Sequence, residues 1–187
     1  MSGHGVVEGA NKKVALLISV LALCLALAET LAKGAQTAAI SENVEASNLW
    51  SFFQAKTIRM TVVRTAGESA ELFASALPDG TAGEAYRKRR DDWTKTGARW
   101  DSEPETGEGR KELADRAKRA ENRRDTSLAR YHHYEIGSAA FQVGIVLASA
   151  MVITGVAALA YAGAALGLVG TVMVAIGLFA PHSVHLF

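Results

Sequence analysis

The sequence predicts an all-α integral membrane protein. It should have three transmembrane helices and a long antiparallel helical hairpin, a coiled-coil-like stalk, outside the membrane. Three observations lead there. Two uncharged apolar runs flank the chain, Val14–Ala28 (broken only by Ser19 and Cys24) and Ile136–Ala180. The charge is confined between them: Lys33–Glu135 holds 18 of the 20 Lys+Arg and 17 of the 19 Asp+Glu. That middle region also carries apolar and small residues at a sustained 3-4 spacing, the mark of a helix with a packed seam.

The elements follow in order. Residues 1–13 form a polar tail ending in Lys12-Lys13. Residues 14–32 form the first span, with Glu29 and Lys33 able to snorkel from its far end. An apolar helix of about 20 residues crosses the hydrocarbon core. The C-terminal run is about twice that length, so it predicts two spans, 136–160 and 163–180. The turn is expected at Tyr161-Ala162-Gly163, where glycine permits it and tyrosine suits the interface. Residues 181–187 are a tail. The Lys12-Lys13 pair, the apolar run and Ala26-Leu27-Ala28 also fit a cleaved secretory signal peptide. Against that, Lys33, Lys118, Arg119, Arg123, Arg124 and Arg130 lie on the middle-region side, with only Lys12 and Lys13 opposite. Basic residues near spans favour the cytoplasm, so residues 33–135 and the C-terminal tail are expected there, and cleavage would put the arginines outside.

The middle region reads as helices over 33–77, 84–100 and 108–135. Ala46, Leu49, Phe53, Lys56, Met60, Val63, Gly67, Ala70, Ala74 and Leu77 keep the 3-4 spacing until Pro78-Asp79-Gly80 supplies turn chemistry. A second seam runs through Leu113, Ala117, Ala120, Arg124, Ser127, Tyr131 and Tyr134 and continues into the next span. Two such helices leaving one membrane face would zip antiparallel, with Lys56 near Glu112. A half-buried ammonium needs a partner, so a carboxylate on the 108–125 helix or on a neighbouring subunit is expected. Leu49, Trp50, Phe52 and Phe53 span too wide an arc for one partner helix. They predict a second neighbour, either residues 84–100 folded back or another subunit.

The stretch SNLWSFFQAKTIR (Ser47–Arg59), with GAQT at Gly34–Thr37 behind a membrane span, resembles a bacterial family of small membrane proteins catalogued as domain of unknown function 4337. The resemblance extends along nearly the whole chain. It implies a mostly helical, multi-pass protein of the bacterial inner membrane, with no assigned reaction and no catalytic residues to carry over.

Candidate sites are few. Gly163, Gly167, Thr171 and Ala175 form one small-residue ridge and Ala140, Gly144 and Ala148 another, as close helix packing in lipid requires. His132, His133, His182 and His185 gather at the expected interface with Glu29 and Glu135. Imidazole and carboxylate are metal ligands, but adjacent His132 and His133 point about 100° apart on a helix; interfacial capping is the plainer reading. Tyr86-Arg87-Lys88-Arg89-Arg90 is followed by Asp91-Asp92, and this local balance argues against a nucleic-acid surface. No phosphate-binding loop, nucleophile elbow, paired-cysteine or zinc-protease motif occurs. The function expected is therefore a non-enzymatic scaffold or accessory subunit without a resident cofactor. Its partners would be membrane lipid and either further copies of itself or a larger membrane complex. Alternatives are an interfacial metal- or haem-binding protein of a redox complex, and a small transporter or channel.

Overall fold

The computed structural model describes residues 3–77 and 80–183, with side-chain surroundings from Lys12 onward. Four helices make up the fold among the described residues: α1 Gly3–Ala76, α2 Thr81–Asp101, α3 Arg110–Thr154 and α4 Ala157–Phe179. The first span and the first middle-region helix expected from the sequence are thus one uninterrupted α1 of 74 residues. No proline interrupts it, and proline is the strongest breaker of a helix interior. α1, α3 and α4 are long and apolar enough to cross a membrane.

The chain divides into two compact units: residues 1–41 with 123–187, and residues 42–122. The first unit packs parts of α1 and α3 with α4. Leu21, Ala28 and Phe141 form its buried cluster, with Leu17, Cys24, Leu25, Ile145 and Val174 against them. The α3–α4 turn is Gly155-Val156, not Tyr161–Gly163 as expected. Gly155 has φ 74°, a conformation glycine adopts without penalty, and Thr154 Oγ1 accepts the Val156 N–H. Gly163 is needed inside α4, where it packs against Gly144. The helix hydroxyls of Ser19, Thr30, Ser149 and Thr171 donate to the carbonyl four residues back. Such bonds satisfy polar groups where water is absent.

The second unit packs α1 from Glu42 onward with α2 and the start of α3. Its core is Ala46, Leu49, Leu113, Ala117 and Ala120, with Trp50 and Phe53 against it. Along α1 the buried residues Ala46, Leu49, Lys56, Gly67, Ala70 and Ala74 all belong to the expected 3-4 seam. Leu77, the last member expected, is exposed. The same count runs back through buried Ala39, Ala32, Ala28, Leu21 and Val14. Hydropathy alone had marked that segment as a span; its periodicity is the same.

Candidate packing surfaces and the histidine layer

In the second unit the α2–α3 loop is organised by Glu112. Its carboxylate accepts from Ser102 Oγ at 2.7 Å and from the Glu103 backbone N–H at 3.1 Å. Glu112 lies in the first turn of α3, where a carboxylate opposes the positive end of the helix dipole. The Ser102 hydrogen bond, then the backbone N–H groups and Lys111, hold it below its ordinary pKa of 4.5. Gly109 makes this possible, because a Cβ there would lie 2.0 Å from Glu112 Oε2 and 2.4 Å from the Glu103 nitrogen. Asp101, at the end of α2, receives Lys111 at 2.8 Å and Arg110 at 2.6 Å. Lys111 first, then Arg110, hold its carboxyl below the usual 3.8.

Lys56 is buried, and its Nζ lies 3.8 Å from Glu103 Oε2. The expected carboxylate partner exists, but it comes from the α2–α3 loop rather than from the 108–125 helix. Glu112 is committed to Ser102 and Glu103, and it places Glu103 within reach of Lys56. The second partner of Glu103 is Arg99, at 3.7 Å.

The aromatic cluster is divided. Leu49 is buried, and Trp50 donates from Nε1 to Glu121 Oε1 at 2.9 Å. Trp50 and Phe53 meet edge to face at 5.4 Å between ring centroids, a favoured aromatic geometry. Arg110 lies over Phe53 at 5.8 Å. Phe52 turns outward, 37 % exposed, with Lys56 Nζ 5.5 Å from its ring. Leu49, Trp50 and Phe53 thus meet α3. α2 meets α1 further on, where Phe73 and Tyr86 pack at 5.7 Å and Arg90 pairs with Glu71.

In the first unit, α3 and α4 approach backbone to backbone. A Cβ on Gly144 would lie 2.9 Å from the Gly163 carbonyl oxygen, and one on Gly163 would lie 2.7 Å from that of Gly144. Gly137 and Gly170 repeat the arrangement at 3.0 and 2.9 Å. Gly167 receives Leu21 of α1, whose Cδ2 would be 2.4 Å from an added Cβ. The buried ridge on α4 is therefore Gly163, Gly167, Gly170 and Gly177. The expected members Thr171 and Ala175 are replaced by Gly170 and Gly177, because a seam following 3-4 spacing, not strict fours, faces the neighbours. Gly137 and Gly170 were legible only as that spacing.

The histidines do not form one set. His133 is 1 % exposed against α4 at Gly177, and neither ring nitrogen has a hydrogen-bond partner among the described residues. His132 is half-buried beside Tyr131 at 5.5 Å between rings. His182 Nε2 lies 3.1 Å from Thr126 Oγ1, seven residues before His133 and so about 10 Å down the helix. His185 lies outside the described residues. Among the described residues no three His, Cys, Asp or Glu side chains gather where they could hold a metal ion. Glu29 instead accepts from Gln142 Nε2 at 3.3 Å, and Glu135 from Tyr131 at 3.1 Å.

The fold defines an all-helical protein with three helices able to span a bilayer. The chain belongs to the family described as Domain of unknown function (DUF4337), whose model matches residues 10–180. No curated protein and no solved structure matches it.

Proposed function

We propose that this protein is a non-enzymatic scaffold or accessory subunit of a bacterial inner membrane. Its charged helical middle would form a stalk that docks other membrane components or further copies of the chain. One observation carries the reading. Four large apolar side chains on one face of α1 in the 42–122 unit, Val44, Ile58, Val62 and Leu72, are each more than half exposed. Exposed apolar patches on folded units mark interaction surfaces, and this one belongs to a chain with three apolar helices. The six basic residues flanking the spans on the middle-region side support a cytoplasmic stalk. Chemical crosslinking in native membranes followed by mass measurement in detergent tests the reading. Assembly with itself or with a defined membrane complex is expected; a monomer that recovers no partner overturns it.

A second reading, an interfacial metal or haem site, draws on His133, whose two ring nitrogens are buried without partners among the described residues. Metal analysis and visible absorption of protein purified without a histidine tag test it. Bound metal or haem lost in His133→Leu would support it; colourless, metal-free wild type would exclude it.

A further inference from the structure

The outer face of α1 in the 42–122 unit carries a second seam. Val44, Asn48, Ser51, Ala55, Ile58, Val62, Thr65, Ser69, Leu72 and Ala76 recur at alternating spacings of four and three. They sit two residues away from the inner seam, about 200° around the helix. Ala55 is half-buried, the other nine are exposed, and none is charged. A merely solvated face would have no reason to exclude charge, since α1 carries Glu45, Arg59, Arg64, Glu68 and Glu71 on its other positions. The hydroxyls of Ser51 and Ser69 donate to the carbonyls of Ser47 and Thr65. These two hydroxyls can therefore leave water without losing a hydrogen bond, which lowers the penalty for covering the seam.

We infer that this seam binds the same seam of a second copy, parallel and in register. The inference rests on the assembly reading above and names the face and the partner. Two copies inserted alike in one membrane leave it in the same direction, so a parallel pair is the natural arrangement. In register, each seam residue meets its own duplicate, and any charge would then repel itself; the seam has none. Asn48 is its only carboxamide. An asparagine at such a position pairs with its duplicate and fixes register and strand number. The flanking positions agree: Gln54 would face the partner's Arg59 and Glu68 the partner's Phe73, so no like charges meet. Serine, threonine and alanine make the seam weak alone, and confinement to one bilayer raises the effective concentration that it needs.

Disulfide trapping of the full-length protein in liposomes decides the matter. In a Cys24→Ala background, Ser51→Cys and Thr65→Cys should each give covalent dimers under mild oxidant. Arg64→Cys, one residue off the seam, should not. Mixing Ser51→Cys with Thr65→Cys protein should give no mixed dimer. Ile58→Glu with Val62→Glu, at exposed positions, should keep the helical circular dichroism and reduce trapping at least tenfold. Absence of the Ser51→Cys dimer in a protein still oligomeric by mass would overturn this face and leave the assembly reading standing. A preferred Ser51–Thr65 mixed dimer would overturn the parallel register. A monomer without a partner in native membranes would overturn both.

Discussion

The two units are held together by opposite means. In the first, helices approach until backbone meets backbone, through the pairs Gly144–Gly163 and Gly137–Gly170. In the second, an alanine-rich core is flanked by directed polar contacts: Lys56–Glu103, Trp50–Glu121 and the Glu112 turn. The difference is the one expected if the first unit meets lipid and the second water. In lipid the hydrophobic effect between helices vanishes and close packing must replace it. In water, alanines bury little area each, and polar anchors set the register.

The comparison can be broken most sharply at the glycines. Gly144→Leu or Gly163→Leu would drive a side chain into a backbone oxygen and should cost roughly 3 kcal/mol or more, the range of severe overpacking. Thermal unfolding in detergent checks it, and the same change at Gly34, where an added Cβ meets nothing within 4 Å, should be nearly silent. In the second unit, Glu103→Gln leaves the buried Lys56 ammonium without its counter-charge. A loss of about 2 kcal/mol is expected from removing one partner of a largely buried pair, and Lys56→Met in the same background should restore most of it. Trp50→Phe removes one hydrogen bond to Glu121 and should cost about 1 kcal/mol, read from the same melts. His133→Leu should be neutral or stabilising by up to about 1 kcal/mol, because it removes two unpartnered buried nitrogens; a clear loss would show that the imidazole has a task.

The pH response sharpens the contrast further. Asp101 and Glu112 have folded pKa values below their ordinary 3.8 and 4.5. Groups depressed in the folded state stabilise it above their unfolded pKa, and that stability is lost as pH falls through the folded value. The second unit should therefore loosen as pH drops below about 4.5. Protection factors at the α2–α3 loop, taken relative to the intrinsic exchange rate at each pH, should fall there, and Glu112→Gln should flatten that dependence.

What the sequence revealed follows from what periodicity can encode. The inner seam of α1 was legible from Ala46 to Ala74 because every member repeats on one face. Its continuation back to Val14 was hidden by uniform hydropathy, in which each face looks alike. Gly163 and Gly167 were legible as a small-residue ridge, yet the turn was misplaced. A glycine required for close approach and a glycine required for positive φ are the same letter, and only the structure separates Gly163 from Gly155. The Lys56 partner was missed by one step: the register pointed to Glu112, but the loop chemistry of Ser102 and Glu103 claimed it.

The two-residue connection at Gly155-Val156 also bears on how the protein is made. If α3 and α4 both cross a bilayer, so short a link leaves them no room to enter it far apart. They would then enter as neighbours, and a fault in either helix should impair the placement of both.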